Sequence, residues 1–318
     1  MNDRIRITDV APRDGLQNEA ARIPTEDKAR LVRALLASGV DEVEVSSFVS
    51  PKWIPQLGDA AELFAMIAPD SAKRRQVVLS TLVPNEKGAQ AAIEVNQAAA
   101  RVHGLDRLIA KLSVFTAASE TFSKRNTNAT IAEAIERFVP VASIAREHGL
   151  RLRGYVSCAI RCPFEGDIKA SKVVDVAAKL LEIGCDEIDF GDTIGAGTPE
   201  TVGALCEVVR TELGDDLLRD PERCTLHLHD TFGHATACAV EAARLGVRSF
   251  DSAAGGLGGC PYASTPERRA PGNVATDALT TALRDAGYTI NIDDAGLAEA
   301  STIAREIVAG ARPTGDAS

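Results

Sequence analysis

Eight short segments with strand-like alternation, each followed by a stretch of helical periodicity, predict a (β/α)8 barrel with an additional C-terminal helix. The units recur at roughly even spacing along a chain of 318 residues, matching a barrel of the usual ~250-residue size. Several of the helical stretches stop at a glycine, as Gly39, Gly149, Gly184 and Gly246 do, where a left-handed residue ends a helix at little cost.

Ile5 to Val10 is the first strand, running into Ala11-Pro12-Arg13-Asp14-Gly15. Thr25 caps a helix whose Leu31, Leu35 and Leu36 keep a helical period up to Ser38. Asp41 to Ser47 is the second strand, with Val43 and Val45 alternating against Glu42, Glu44 and Ser46, and Trp53 to Ala68 is its helix. Gln76 to Leu82 is the third strand, followed by a helix from near Asn85 to Gln97. Arg107 to Phe115 is the fourth, with a helix from Thr130 to His148, and Leu152 to Ile160 the fifth, with a helix from Ser171 to Ile183. Glu187 to Gly191 is the sixth; Thr198 caps its helix, Pro199 to Leu213, with proline at the first helical position. Cys224-Thr225-Leu226-His227-Leu228-His229-Asp230 is the seventh, followed by the helix Ala235 to Leu245. Ser249 to Ala254 is the eighth, and Val274 to Ala286 completes that unit. The expected organisation is a barrel over 1–290, a helical extension of the same domain over 291–311 that contains Ala295 to Ala309, and a polar tail over 312–318.

With 45% apolar and 25% charged residues the composition is that of a soluble globular protein. The net charge of −10 argues against nucleic-acid and anionic-membrane binding. Seven cysteines without disulfide-framework spacing read as reduced thiols. Met-Asn-Asp-Arg-Ile-Arg lacks the apolar stretch of a signal peptide, so a cytoplasmic location is expected.

In such a barrel, catalytic groups sit at the C-terminal ends of the strands. Strand one ends in Arg13-Asp14, strand two in Glu44-Val45-Ser46-Ser47, and strand six in Gly191-Asp192-Thr193. Strand seven carries His227 and His229 two residues apart, so both imidazoles project from one face. Asp14 on the same rim makes a mixed nitrogen–oxygen set, which suits a hard or borderline ion such as Mg²⁺ or Mn²⁺ better than a thiolate zinc site. Asp192 reads either as a substrate contact or as a cap on the helix that follows its turn.

Ala11-Pro12-Arg13-Asp14-Gly15-Leu16-Gln17-Asn18-Glu19, Ser46 to Trp53, Tyr155-Val156-Ser157-Cys158, Cys162 to Gly166, Gly191 to Gly195, His227 to Thr231, Gly255 to Ala263 and Gly272 to Thr276 occur in this order. Together they resemble the 3-hydroxy-3-methylglutaryl-CoA lyase family. The resemblance implies that Asn273 joins Asp14, His227 and His229 as a ligand of a divalent cation. It implies Arg13 as a substrate-binding electrophile and Cys260 as a catalytic thiol on a mobile glycine-rich loop. It further implies an acyl-CoA substrate, a place in leucine degradation and a homodimer or higher homo-oligomer.

The implied reaction is a retro-Claisen cleavage giving acetyl-CoA and a keto acid, acetoacetate when the substrate is 3-hydroxy-3-methylglutaryl-CoA. A metal holding the hydroxyl and a neighbouring carboxylate lowers the hydroxyl pKa. Arg13 can donate to the thioester oxygen as enolate charge develops, a contribution of ~3–4 kcal/mol per donor in such sites. Cys260 is placed to protonate the enolate carbon, Glu44 to orient Arg13, and Gln17 to line the pocket; the general base is Asp14 or His227. Two departures from the family's pattern bear on the substrate: Asp189 stands where a small hydroxyl residue is common, and Ser264 to Pro271 lengthens the link before Asn273, adding Arg268 and Arg269. The alternatives are the same chemistry on citramalyl-CoA or a longer-branched 3-hydroxy-3-carboxymethyl acyl-CoA, and a Claisen-type synthase running in reverse. A non-catalytic metal- or CoA-binding barrel is the alternative of another class.

Overall fold

The computed structural model describes residues 3–71, 73, 76–259 and 272–311. Eight parallel strands close into a barrel: β1 (Arg6–Asp9), β2 (Glu42–Ser47), β3 (Val78–Leu82), β4 (Lys111–Ala117), β5 (Arg151–Ser157), β8 (Glu187–Asp192), β9 (Cys224–Leu228) and β10 (Ser249–Ser252). A small antiparallel hairpin, β6 (Arg161–Cys162) with β7 (Gly166–Asp167), follows β5. The ring closes between the first and last strands, with Arg6 opposite Ser249 and Asp9 opposite Ser252. The helices are α1 (Thr25–Ser38), α2 (Ala60–Ser71), α3 (Glu86–His103), α4 (Glu120–Thr127), α5 (Ile131–Glu147), α6 (Ala170–Glu182), α7 (Pro199–Leu213), α8 (Asp215–Arg219), α9 (Ala235–Leu245), α10 (Thr276–Asp285) and α11 (Asp294–Ala311). The last, α11, packs on α1 and on the short turn Ala254–Gly256 after β10. The expected barrel and its C-terminal helix are therefore observed. No helix among the described residues is long and apolar enough to cross a membrane.

Several elements differ from the sequence reading, each for a local reason. Thr25 is not a cap: Pro24 holds that position, and the Thr25 hydroxyl donates instead to Asp59 Oδ2 at 2.8 Å. Trp53 to Ala68 is not one helix, because Pro55 keeps Ile54 out of helical backbone and starts only the 3₁₀ turn Pro55–Leu57 before α2. Strand four begins at Lys111 rather than Arg107. Leu108 and Ile109 are buried but lie in a turn, where Asn96 satisfies both the N–H and the carbonyl of Ile109. Strand five stops at Ser157 because Cys158 turns into left-handed backbone at φ 57°. The hairpin β6–β7 and the short α4 and α8 carry too few residues to show a period, and the sequence reading missed them.

Strand alternation sorts the side chains into two populations. Val43 and Val45 join the apolar layer between strands and helices, while Glu42 and Glu44 turn into the barrel, both fully buried. Inside, Lys111 Nζ bonds Glu42 Oε2 at 2.5 Å and Glu187 Oε2 at 2.6 Å. Arg153 reaches Glu187 at 2.8 Å, Glu42 at 3.3 Å, Asp251 at 3.4 Å and Asp189 at 3.7 Å. Barrel interiors are usually filled by branched apolar side chains; this one is filled by ionisable and hydroxyl side chains around Lys111 and Arg153. Burial with the Asp251 charge beside it pushes the Asp189 carboxyl well above the usual range. Asp189 is thus part of this buried network, one layer below the rim.

Candidate active site at the C-terminal rim

The site begins where β1 gives way to a five-residue π-turn, Ala11–Gly15. Pro12 sits at the start of that turn, where its missing N–H leaves no bond unmade. The turn presents Arg13, buried, and Asp14, about a fifth exposed at 22%. Arg13 Nε donates to Glu44 Oε2 at 2.5 Å, and its Nη1 donates to Asp14 Oδ1 at 2.5 Å. Burial alone would lower the guanidinium pKa, but Glu44 and Asp14 outweigh it, so Arg13 stays charged. Burial pushes Asp14 up; the positive charge of Arg13 and the imidazoles of His227 and His229 outweigh it and hold the carboxyl well below its usual range.

The two histidines meet as the strand period requires. Their Nε2 atoms lie 3.2 Å apart, and each has a ligand atom within 4.8 Å of Asp14 and of the other. Two nitrogens bound at about 2.1 Å to one ion at near-right angles would be about 3 Å apart. On its other side, His227 Nδ1 lies 3.0 Å from Asp251 Oδ2. With Nδ1–H donating to that carboxylate, the lone pair of the neutral ring lies on Nε2, facing His229. Burial depresses His227, but the bond to Asp251 more than offsets it and its pKa is raised. Burial and the neighbouring His227 charge hold His229 down to about 4, so it stays neutral and able to ligate.

Asn273 arrives from a different part of the chain. Asp230 N–H donates to the Gly272 carbonyl and Val274 N–H to the Leu228 carbonyl, both at 3.0 Å, so Asn273 is clamped beside His229 in a short antiparallel bridge. Its Nδ2 donates to Asp14 Oδ2 and to the Leu257 carbonyl, each at 3.0 Å. Its Oδ1 is buried with no hydrogen-bond partner among the described residues, an orphaned acceptor that a cation would satisfy. Close backbone crossing makes this possible: a Cβ on Gly272 would lie 2.4 Å from the Gly258 carbonyl carbon, and Gly258 itself has φ 104°.

The structure thus brings Arg13, Asp14, Glu44, His227, His229 and Asn273 into one cluster. Gln17 is half-buried just past the Arg13–Asp14 turn. Asp192 accepts from Gly197 N at 2.7 Å and Ala196 N at 3.1 Å, so its carboxylate holds its own turn; burial pushes its pKa up to about 6 against those bonds. Cys260, Arg268 and Arg269 lie outside the described residues. The sequence reading passed over Asp251, although alternation against the buried Phe250 would have turned it inward.

A sequence model of the HMGL-like family matches residues 4–303. A Pseudomonas aeruginosa protein named 3-hydroxy-3-isohexenylglutaryl-CoA/hydroxy-methylglutaryl-CoA lyase is 42% identical over 297 residues, covering 93% of this chain and 90% of that one. The crystal structure of the HMG-CoA lyase from Brucella melitensis superposes with a TM-score of 0.85 at 39% identity, covering 96% of this chain and 99% of that one. An HMG-CoA lyase from Acinetobacter baumannii, solved with coenzyme A and 3-methylmalate, gives a TM-score of 0.83 at 31% identity over 99% of this chain and 97% of that one. With the motifs, the barrel and these relatives in agreement over nearly its whole length, the chain belongs to the HMGL-like family.

Proposed function

We propose that this protein is a divalent-metal-dependent carbon–carbon lyase that cleaves 3-hydroxy-3-methylglutaryl-CoA by retro-Claisen chemistry to acetyl-CoA and acetoacetate. The observation that carries the proposal is the convergence of Asp14, His227, His229 and Asn273 beside the Arg13–Glu44 pair at the catalytic end of the barrel. The donor set, two neutral imidazoles with carboxylate and carboxamide oxygens, fits Mg²⁺ or Mn²⁺. A cation held there would acidify the substrate's tertiary hydroxyl and fix it beside the neighbouring carboxylate.

The chain's own groups supply the rest. Arg13 is fixed by Glu44 and keeps N–H groups free to meet the thioester oxygen as negative charge builds on it. Of the two candidates for the base, Asp14 is the weaker, because Arg13 and the histidines depress its pKa. Asp251 behind His227 raises its pKa, but Nδ1 carries the proton bonded to Asp251 and Nε2 is the nitrogen a cation would take, so His227 can act as base only with that nitrogen free of the cation. Cys260 is the acid assigned to the enolate carbon, and Cys260→Ser should lose most of kcat because a hydroxyl is a far poorer proton donor.

The name of the Pseudomonas aeruginosa relative supports a second reading, in which a longer-branched 3-hydroxyglutaryl-CoA is also cleaved. Acetyl-CoA release from 3-hydroxy-3-methylglutaryl-CoA, citramalyl-CoA and a longer-branched ester tests both. Release from none of them would refute the lyase assignment. Replacing Arg268 and Arg269 with alanine then shows whether that segment selects among the esters: a changed acyl preference assigns it to specificity, and unchanged kinetics remove it.

A further inference from the structure

We propose that Asp9, which touches none of the cation ligands, is the positioning residue that holds two of them and the base of the glycine-rich loop in register. The proposal rests on the reading of the rim as a cation site. Asp9 is the last residue of β1 and is fully buried. Its Oδ1 accepts from Ala11 N at 2.9 Å, and its Oδ2 accepts from Ala254 N at 2.9 Å and Thr276 Oγ1 at 2.8 Å. No Lys or Arg among the described residues forms an ion pair with it. Burial pushes the pKa of its carboxyl up to about 7, against hydrogen bonds from segments far apart in the chain that favour the charged form.

Each donor stands at the start of a segment that builds the site. Ala11 opens the π-turn that presents Arg13 and Asp14. Ala254 opens the turn leading to Leu257, whose carbonyl holds the Asn273 amide at 3.0 Å. Thr276 is the first residue of α10, directly after the Asn273 bridge, and it also accepts from Ser252 Oγ at 2.9 Å. From the opposite side, Ser301 Oγ on α11 accepts from Gly255 N at 3.2 Å, so the turn after β10 is gripped between Asp9 and the C-terminal helix.

Both oxygens of Asp9 face backbone N–H donors. An asparagine of the same shape must therefore set its NH₂ against one of them, releasing either the Asp14 turn or the Leu257 turn. Displacing a ligand segment by a fraction of an ångström weakens cation binding; losing a hydrogen bond made directly to a ligand typically costs about 10–100-fold in metal affinity, and Asp9, which holds the segments of two ligands at once, should reach the lower end of that range.

The test is Mn²⁺ binding to the purified protein without substrate, read by electron paramagnetic resonance or calorimetry alongside circular dichroism. Asp9→Asn should bind Mn²⁺ at least about 10-fold more weakly with the fold retained. Thr276→Val should weaken binding to a smaller extent, and Thr276→Ser, which keeps the hydroxyl, should restore it. A folded Asp9→Asn protein with wild-type affinity would overturn the proposal. If Asp9→Asn does not fold, the threonine pair decides: Thr276→Val at wild-type affinity also overturns it. A wild-type protein that binds no Mn²⁺ or Mg²⁺ refutes the cation-site reading itself, which is a distinguishable result.

Discussion

Arg13 closes on a single oxygen of Glu44: its Nε and Nη2 both lie 2.5 Å from Oε2. Its Nη1 is turned to Asp14, so of five guanidinium N–H bonds two remain, one on each terminal nitrogen. Those two are what the site can offer a substrate oxygen. Arg13→Lys keeps the charge that Glu44 needs but has no planar fork to serve Glu44, Asp14 and substrate together. It should lower kcat by about 10²–10³-fold while leaving the thermal midpoint close to wild type. Steady-state kinetics within threefold of wild type would remove Arg13 from the chemistry.

Chelation should abolish acetyl-CoA release, and either Mg²⁺ or Mn²⁺ should restore it. His229→Ala should stay folded, since its ring Nδ1 has no hydrogen-bond partner among the described residues to lose, yet bind Mn²⁺ weakly. An exhaustively chelated protein that retains activity contradicts the cation assignment.

Cation binding should weaken as the solution is acidified. Asp251 holds the Nδ1 proton of His227, so an added proton goes to Nε2, the nitrogen the cation needs. The pKa of His227 is raised above its ordinary 6.5. Imidazolium at this position therefore adds stability to the fold below that ordinary value, and the contribution is lost as pH rises through the raised one. A saturating cation should remove the dependence by displacing the proton. Calorimetry in two buffers of different ionisation enthalpy should register proton release on binding near neutral pH; no release would contradict the Asp251–His227 assignment.

Lys111→Met should destabilise the barrel by about 3 kcal/mol, toward the lower end for a broken buried pair, because Arg153 still reaches both Glu42 and Glu187. Adding Glu42→Gln should recover part of the loss. Urea unfolding with an unchanged midpoint for Lys111→Met would show that the interior ion pairs contribute nothing net.

The sequence read most clearly where a period was long or a motif was local. Pro199–Leu213 matched residue for residue because cap, proline and glycine all marked its boundaries, and Ala235–Leu245 matched with Gly246 marking its end. His227 and His229 were legible because a strand's period of two is rigid. Asn273 was legible only through resemblance. What places it is a backbone bridge to His229 across a glycine crossing, and no periodicity encodes contact between loops so distant in the chain. Asp251 and Asp9 look like ordinary strand residues in the sequence. Their roles depend on which donors the closed barrel brings to them.

Ring closure between Arg6–Asp9 and Ser249–Ser252 has a consequence for biosynthesis. A ribosome extends a chain at about 5–20 residues per second, so the first strand waits on the order of ten seconds or more for its final neighbour. During that interval one edge of the nascent sheet is unpaired and Arg153 lacks its Asp251 partner, a condition that invites mispairing. Substitutions along β1 should therefore lower the yield of assembled protein in the cell more than they lower the melting temperature of what does assemble, and holdase chaperones should rescue the difference.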